Sequence, residues 1–364
     1  MLMALSGAVW ELSGSCLGAV WELSGRIGRM KCYDCEYKGE PAAAIDTGLY
    51  TAVFLPGHGA KLASFVDNGT GLEAMSQAGG AAYRPLAYDG EYTRSECGGF
   101  DDMFPTIDPC TLKEGRFKGL ELNDHGEVCR LPHSCGADGG GLRFNCRSRR
   151  FDFTFSKTAT CGADKRLRVS YKIQNNSGEF FPSLYAAHLM LAGCEGGRLS
   201  FGRRGDGKAP PQGRRNAGGQ AAPPGFTDAF AETVFASEGT GFRAGEAAPL
   251  SPSHLSLAPY APGGGTFKYY LTKPAGFDSF SYSYPESNIS FVFEYDGGKL
   301  PYFGAWLNSG GFQDRYNIAP EPCTAPFDSP ENAEKRGVRS GLEPGGTLEF
   351  DLCLYFISKQ KSKA

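Results

Sequence analysis

The sequence predicts an all-β protein, a large antiparallel β-sandwich in a single domain. Runs of alternating apolar and polar residues recur along the chain, separated by Asn, Asp and Gly turns, which is typical of antiparallel strands. Glycine accounts for 51 of the 364 residues, roughly twice its average use, as expected of a turn-rich chain. No long, capped apolar stripe at helical spacing interrupts these runs.

The strand pattern is clearest at 167–173, where apolar and polar residues alternate strictly until an Asn-Asn-Ser-Gly turn at 175–178. Such alternation predicts a strand with one buried face. In chain order, the predicted strands lie at 45–55, 60–66, 151–155, 167–173, 267–271, 280–284, 289–295 and 348–356.

The first 29 residues differ from this pattern. The sequence Gly-Ala-Val-Trp-Glu-Leu-Ser-Gly occurs at 7–14 and again at 18–25. Two short copies are too few for a stacked repeat protein. We therefore predict that 1–29 is an N-terminal extension outside the fold and dispensable for function, with a small helix or an added strand as the alternatives. The single domain would then span 30–364.

A second segment, 196–225, is rich in Gly, Pro, Gln, Ala and Arg and poor in large apolar side chains. Such a composition buries too little surface to offset the entropy of ordering, which predicts a mobile surface insertion. Its arginines are either solvated or placed to bind phosphate or nucleic acid.

Composition excludes several classes of protein. The formal net charge is −3 and the pI is about 6.0, which argues against nucleic acid or an anionic membrane as a partner. The start of the chain lacks the features of a signal peptide and no stretch of about 20 residues is apolar enough to span a bilayer. We therefore expect a cytoplasmic protein.

The twelve cysteines have irregular spacing. Cys32 and Cys35 form a lone Cys-x-x-Cys, either two reduced thiols or a metal or redox pair. No histidine pair has metal-binding spacing and no set of Cys and His residues converges in sequence. We therefore predict no metal ion.

Two ionisable residues stand out by their surroundings. His188 is alone within the apolar run 184–191, where it is either a hydrogen-bonded core histidine or an acid–base group. Glu321 lies between Pro320 and Pro322, which restrict the backbone and remove N–H groups. A carboxylate on such a rigid loop suits a raised pKa; a turn held by a structural ion pair is the other interpretation.

The remaining four histidines lie among turn-forming residues. His125 falls within Asn-Asp-His-Gly-Glu at 123–127, at the edge of a strand or loop. His58, His133 and His254 are predicted to be exposed.

Four motifs occur in a defined order: Gly-Gly-Phe at 98–100 with Phe-Pro-Thr at 104–106, Asp-His-Gly-Glu at 124–127 before Arg130, Ala-His at 187–188, and Glu-Pro-Cys-Thr at 321–324 before Pro326 and Asp328. Together, and over residues 40–357, they resemble the aldose 1-epimerase (galactose mutarotase-like) superfamily, including its hexose-6-phosphate 1-epimerase branch.

The resemblance implies a large antiparallel β-supersandwich with a sugar site on a concave sheet face. It implies an isomerase that interconverts the α and β anomers of an aldose by opening and closing the ring at C1, without a cofactor. Glu321 would be the general base at the anomeric hydroxyl, His188 the general acid at the ring oxygen, and His125 would hold the sugar near that oxygen. Trp306 would either stack on the sugar or pack in the core. The partner would be a monosaccharide, and the chain a monomer or homodimer.

The chain differs from the superfamily in two places. The Asn-Arg-Ile segment that supplies a substrate arginine is absent, and Arg94 is the proposed substitute. Glu127 follows Gly126 where the phosphosugar branch has an aromatic residue. Two alternatives therefore stay open: a hexose-6-phosphate substrate with Arg94, Arg130 or the insertion arginines at the phosphate, and a non-catalytic carbohydrate-binding protein of the same fold.

Overall fold

The computed structural model of the chain describes residues 20–23, 30–138, 140–203, 222–223, 225–227, 233–238 and 247–358. These residues fold mainly into antiparallel strands, which confirms the all-β prediction. The helical segments of this part are α1 (Pro330–Lys335) and 3-10 turns at Tyr92–Arg94, Val128–Arg130 and Pro252–His254. Each of these helices is too short to form an apolar span across a membrane.

The strands, in chain order, are β1 Val20–Leu23, β2 Met30–Tyr37, β3 Glu40–Asp46, β4 Tyr50–Leu55, β5 Lys61–Asp67, β6 Leu72–Glu73, β7 Gly99–Met103, β8 Cys110–Thr111, β9 Glu121–Leu122, β10 Ser134–Asp138, β11 Gly141–Arg147, β12 Phe153–Cys161, β13 Leu167–Asn175, β14 Phe181–Pro182, β15 Ala186–Ala192, β16 Arg198–Gly202, β17 Phe226–Thr227, β18 Thr233–Glu238, β19 Ala247–Pro249, β20 Thr266–Leu271, β21 Ser279–Tyr284, β22 Ile289–Tyr295, β23 Tyr302–Ser309, β24 Tyr316–Cys323, β25 Gly341–Leu342 and β26 Thr347–Ser358.

Two large sheets hold most of the described strands. The first, here called the large sheet, has 13 described strands in the order β1-β2-β3-β4-β5-β7-β15-β24-β23-β20-β18-β19, with β6 paired to β5. The second has nine described strands in the order β10-β11-β12-β13-β26-β22-β21-β16-β17. The middle of the large sheet, β7-β15-β24, therefore joins three parts of the chain that are distant in sequence.

The two sheets pack face to face around an aromatic core. Phe54 of the large sheet and Phe144 of the nine-stranded sheet lie 5.2 Å apart between ring centroids. A buried ion pair also joins the sheets, because Nζ of Lys157 lies 2.7 Å from Oδ2 of Asp102. One face of the large sheet thus packs against the nine-stranded sheet, and its other face is available to form a binding site.

The N-terminal extension contributes one edge strand to the large sheet. Val20–Leu23 pairs antiparallel with β2, with Val20 opposite Tyr33. This is the added strand that the sequence left open as an alternative. The other residues of 1–29 lie outside the described residues, so the prediction that the extension is dispensable stays a prediction.

The predicted insertion begins later than residue 196. Arg198–Gly202 forms β16, which pairs with β21, and its Leu199 and Phe201 are fully buried. The prediction was wrong for these residues because a five-residue strand with only two large apolar side chains does not stand out beside glycines. Residues 204–221, with most of the predicted insertion, lie outside the described residues.

Two histidines expected to be exposed are buried. His133 is fully buried, with Nε2 3.3 Å from the carbonyl oxygen of Val128. His254 is 1% exposed, and its Nδ1 accepts a hydrogen bond from the backbone N–H of Ser251. Neighbouring turn residues indicate a bend in the chain, but they do not show what packs over the bend.

Candidate active site

A row of side chains crosses the middle of the large sheet. Backbone pairing aligns Asp101 of β7 with His188 of β15. It also aligns Glu321 of β24 with Gly304 of β23, and Gly304 with Tyr270 of β20. The flanking pairs of β15 and β24 place His188 opposite Glu321. Because directly opposed residues point to the same side of a sheet, the row forms one continuous polar surface.

Glu321 lies on a central strand and not on the loop that its two prolines suggested. β24 runs between β15 and β23 and carries Pro320 and Pro322 on either side of Glu321. Proline has no N–H group to donate to a neighbouring strand. Pairing with β23 is continuous, whereas pairing with β15 is interrupted along 319–322. The prolines are tolerated in the sheet because β23 alone is enough to hold this stretch in register.

His188 and Glu321 form a buried pair, here called the acid–base pair. Nε2 of His188 lies 3.6 Å from Oε1 of Glu321, just beyond hydrogen-bonding distance, and the side chains are 7% and 1% exposed. Nδ1 of His188 and Oε1 of Glu321 have no hydrogen-bond partner among the described residues. Buried polar atoms normally have partners, so the arrangement suits a polar ligand that supplies them.

Burial determines where the proton of this pair resides. Burial, opposed by the Lys268 ammonium and reinforced by Asp328, raises the pKa of Glu321 to about 7. Burial also lowers the pKa of His188 well below its usual value, and the charges of His125 and Lys268 act in the same direction. Just below neutral pH, the pair therefore carries one proton, which lies on Glu321 while His188 is neutral.

Lys268 compensates the charge of Glu321 in the pair and of Asp328 beside it. Its Nζ lies 2.9 Å from Oε2 of Glu321 and makes a still closer contact with Oδ2 of Asp328. The hydroxyl of Tyr270 donates a hydrogen bond to the same oxygen of Asp328. Burial opposes the charged form of Lys268, but Asp328 and Glu321 outweigh it and raise the pKa of the ammonium well above its usual value. The Lys268 ammonium therefore forms ion pairs with two carboxylates, and Asp328 is the closer of the two.

His125 reaches the site from a loop. Both His125 and Gly126 have positive φ, +60° and +72°, and form the tight turn that directs the imidazole inward. Nδ1 of His125 lies 2.8 Å from Oδ1 of Asp124. The ring stacks on Tyr92 at 3.7 Å between centroids and lies edge-on to His188 at 5.5 Å. The structure therefore brings His125 next to the acid–base pair.

These groups line a cavity of about 790 Å³, within the range of roughly 300–1,000 Å³ typical of small-molecule sites. Three members of the row on the large sheet, His188, Glu321 and Tyr270, form its floor, and the segment from Phe327 to Arg336, which contains α1, contributes one wall. Aromatic rings supply much of the remaining surface: Tyr92, Tyr270, Trp306, Phe312 and Phe327. Flat apolar surface beside a few convergent polar groups is typical of a site for a small polar ligand.

Trp306 lines the cavity, whereas Arg94 does not. Trp306 is the cross-strand neighbour of Lys268 and packs edge-on against Phe312. The side chain of Arg94 is 80% exposed, and its Nε lies 2.6 Å from a carboxylate oxygen of Glu91. The 3-10 turn that holds Tyr92 inside the cavity directs Arg94 to solvent, so the structure does not bring the predicted substrate-binding residue Arg94 to the cavity.

Arg130 has a structural role. Its residue is buried, and the guanidinium donates hydrogen bonds to the carbonyl oxygens of Gly126, at 2.9 Å, and Gly90, at 2.6 Å. The same group donates to the carbonyl oxygen of Asp124. Arg130 thus holds the His125 loop in place, and these bonds leave it directed away from the cavity.

Sequence reasoning missed Lys268 and Tyr270, although both fall within the predicted strand 267–271. A lysine that alternates with aromatic residues on a strand normally indicates a solvent-facing position. The available signal was that Lys268 and Tyr270 share one face, since they are two residues apart. Only the position of β20 beside β23 shows that this face looks into a cavity.

The cysteine motif does not form a site. Cys32 and Cys35 lie three residues apart on β2, so their side chains point to opposite faces of the sheet. Across the described residues, no group of three or more His, Cys, Asp or Glu side chains is arranged to hold a metal ion.

No protein-family model matches the chain, and no curated protein matches it in sequence. Solved structures are nevertheless similar in fold. A candidate aldose 1-epimerase from Klebsiella pneumoniae aligns with a TM-score of 0.65 at 11% identity, over 93% of this chain and 88% of its own. A candidate aldose 1-epimerase from Escherichia coli K12 aligns with a TM-score of 0.57 at 14% identity, over 91% of this chain and 100% of its own. A galactose mutarotase-like protein from Lactobacillus casei aligns with a TM-score of 0.55 at 14% identity, over 87% of this chain and 100% of its own. The chain therefore has the galactose mutarotase-like β-sandwich fold, as predicted.

Proposed function

We propose that this protein is an aldose 1-epimerase, which interconverts the α and β anomers of a free sugar without a cofactor. The observation that carries the proposal is the position of His188 beside Glu321, 3.6 Å apart, at the cavity floor. In a pyranose the anomeric hydroxyl and the ring oxygen are both bonded to C1. An acid and a base that serve these two oxygens must therefore lie side by side, as this pair does.

The pair supplies the proton transfers that the reaction needs. The Glu321 carboxylate accepts the proton of the anomeric hydroxyl while the His188 imidazolium gives a proton to the ring oxygen. The bond between C1 and the ring oxygen breaks, and C1 becomes an aldehyde carbon. Rotation about C1–C2 exposes the other face of the carbonyl, and ring closure reverses both transfers. The pair returns to its starting protonation, so no co-reactant is consumed.

The shifted pKa values suit this cycle. Before sugar binds, the shared proton lies on Glu321, because burial raises the pKa of Glu321 and lowers that of His188. An anomeric hydroxyl that donates to Glu321 favours the carboxylate, and a ring oxygen that accepts from His188 favours the imidazolium. Sugar binding would therefore move the shared proton from Glu321 to His188, which is the state that opens the ring.

His125 and Trp306 are proposed to position the sugar. His125 lies edge-on to His188 at 5.5 Å and would hydrogen-bond the sugar near its ring oxygen. Trp306 is half-buried and lines the cavity, where its indole offers a flat apolar surface for a sugar face.

A non-catalytic carbohydrate-binding protein is the alternative from another class. Binding requires aromatic surface and hydrogen-bonding groups, but it does not require an acid and a base buried side by side. Pairs with pKa values shifted by burial are typical of catalytic sites, and this pair favours the enzyme.

A hexose-6-phosphate substrate is the second candidate, and one observation favours it. Lys335 and Arg336, at the end of α1, line the cavity on the side of the wall. An exposed phosphate site of this kind would weaken as salt is added. We propose a neutral hexose as the preferred substrate, because the carboxyl groups of Asp108, Glu321 and Asp328 line the same cavity as Lys268, and carboxylates disfavour a bound phosphate.

Polarimetry tests the proposal directly. Freshly dissolved α-glucose, α-galactose and α-glucose-6-phosphate are followed with and without the protein, at low salt and at about 500 mM salt, where the Debye length is about 4 Å. We expect faster equilibration of a neutral hexose, independent of salt. Faster equilibration of the phosphosugar alone, weakened by salt, would support the second candidate. Binding of sugar without any acceleration would support the carbohydrate-binding alternative.

A further inference from the structure

We propose that Lys268 is a positioning residue: its ammonium compensates Asp328 and holds Glu321 against the sheet, so that Glu321 is the carboxylate left to exchange a proton with the sugar. The inference concerns the same site and rests on the proposed function. Lys268 belongs to none of the motifs on which the family resemblance depends.

The contacts of Lys268 orient Glu321. Nζ of Lys268 lies 2.9 Å from Oε2 of Glu321, on the side of the carboxylate away from His188. The other oxygen, Oε1, is the one that lies 3.6 Å from Nε2 of His188. Neither oxygen has a hydrogen-bond partner among the described residues, so the ion pair with Lys268 is what distinguishes Oε2 from Oε1. One oxygen is thus held by an ion pair, and the other is free to take part in proton transfer beside the imidazole.

Gly304 leaves room for this arrangement. It lies between Glu321 and Tyr270 in the row across the sheet. A Cβ atom at Gly304 would come within 3.1 Å of the Tyr270 ring and 3.5 Å of Oε2 of Glu321. The missing side chain therefore keeps open the space in which Lys268, Tyr270 and the two carboxylates meet.

Asp328 ties the wall of the cavity to its floor. Phe327 and Asp328 both have positive φ, +66° and +61°, which is uncommon for residues other than glycine and persists only where the surroundings hold it. The carbonyl oxygen of Asp328 accepts hydrogen bonds from the N–H groups of Ile107 and Asp108, both at 2.8 Å. Its side chain contacts Lys268. Lys268 therefore joins β20 to the segment that bears Phe327 and leads into α1.

The charges explain why a lysine is needed here. The Asp328 carboxylate lies close enough to Glu321 to raise the pKa of Glu321. The Lys268 ammonium lies nearer to Asp328 than to Glu321, and Tyr270 donates to the same oxygen of Asp328. Asp328 thus receives the larger share of the compensation, and Glu321 keeps the raised pKa that suits it to proton exchange near neutral pH.

Lys268 itself is not a nucleophile or a proton donor in this scheme. Its two carboxylate neighbours, against the effect of burial, raise the pKa of its ammonium well above the usual value. An amine that stays protonated does not attack a carbonyl carbon, and it releases no proton at neutral pH. Its contribution is therefore position and charge.

The test measures the protonation of Glu321 without any sugar. The side-chain carboxyl carbon of Glu321 is followed by ¹³C NMR against pH in the full chain, in Lys268→Met and in the double variant Lys268→Met with Asp328→Asn. Lys172→Met, an exposed lysine on the nine-stranded sheet, is the matched control. The kcat/KM profile for mutarotation is recorded for the same proteins.

We expect the Glu321 midpoint to rise by about one pH unit or more in Lys268→Met, because an uncompensated Asp328 charge then faces Glu321. The double variant should return the midpoint towards the wild-type value, and Lys172→Met should leave it unchanged. The alkaline limb of the kcat/KM profile should move with the midpoint, and kcat of Lys268→Met should fall by about 10- to 100-fold.

An unchanged Glu321 midpoint in folded Lys268→Met would overturn the inference. If Lys268→Met does not fold, the test uses Lys268→Arg, because this variant keeps the positive charge. A Glu321 midpoint equal to that of the wild type in Lys268→Arg supports the inference. A raised Glu321 midpoint in Lys268→Arg contradicts it. If the midpoints shift as expected but the wild-type chain does not accelerate mutarotation, the proposed function fails while the electrostatic role of Lys268 stands.

Discussion

Nε2 of His188 lies 3.6 Å from Oε1 of Glu321, across two neighbouring strands that are far apart in sequence. Backbone pairing on both sides of this point fixes their register. Neighbouring strands are about 4.8 Å apart, so side chains directly opposite each other are held close without any loop. An acid and a base built in this way need little reorganisation when a ligand enters, which favours catalysis.

Glu321→Gln and His188→Asn should each slow mutarotation by about 10²- to 10⁴-fold, because each removes one of the two proton transfers. Both changes preserve the approximate shape of the side chain, so circular dichroism should remain that of the wild type. Glu349→Gln, an exposed residue on β26, is the control and should keep the full rate. A near-normal rate in either site variant would remove that residue from the mechanism.

The kcat/KM of mutarotation should have a bell-shaped pH dependence. The active pair carries one proton. As the pH rises through about 7, the value to which burial raises the pKa of Glu321, the pair loses that proton and activity falls. As the pH falls well below 6.5, His188, whose pKa burial lowers, takes up a second proton and activity falls again. Stopped-flow polarimetry with correction for buffer catalysis measures this profile; full activity at pH 9 would contradict the assignment.

Trp306→Ala should raise KM for the sugar by about two- to twelvefold, because an aromatic stacking contact contributes roughly 0.5–1.5 kcal/mol. Arg94→Ala should change KM less than twofold, because Arg94 is exposed and paired with Glu91. Initial rates over a range of sugar concentrations give both values. A large effect of Arg94→Ala with no effect of Trp306→Ala would show that the sugar binds outside the cavity that Trp306 lines.

The stability of the fold should depend on His133 below pH 6.5. Burial, reinforced by the charge of Lys157, lowers the pKa of His133 in the folded state to about 3. Between pH 6.5 and about 3 the unfolded chain therefore binds a proton at this residue that the folded chain does not, so the free energy of unfolding falls as the pH falls. His133→Gln should reduce this slope by up to about 1.4 kcal/mol per pH unit.

Urea unfolding of the wild type and His133→Gln between pH 6.5 and 4.5 measures the slope. The comparison uses slopes and not absolute stabilities, because His133→Gln also changes packing against Phe155. Equal slopes in the two proteins would show that His133 is protonated in the folded state in this range.

The local sequence was sufficient for the fold class. Alternation along 167–173 and 289–295 depends only on neighbouring residues, and both predicted strands are present as parts of β13 and β22. The order of the motifs around His125, His188 and Glu321 was also sufficient to indicate the galactose mutarotase-like fold, and the structure brings these three residues together. Strand periodicity is a local property, since side chains point alternately to the two faces whatever the strand pairs with.

The sequence by itself thus determined an all-β sandwich and singled out His125, His188 and Glu321 as candidate site residues. Only the tertiary structure decided that Glu321 lies on a central strand opposite His188, that Lys268 faces a cavity and that Arg94 faces solvent. The physical reason is that these properties depend on which strands become neighbours and on how deeply each group is buried. Pairing joins residues far apart in sequence, and burial shifts a pKa through surroundings that no local pattern contains.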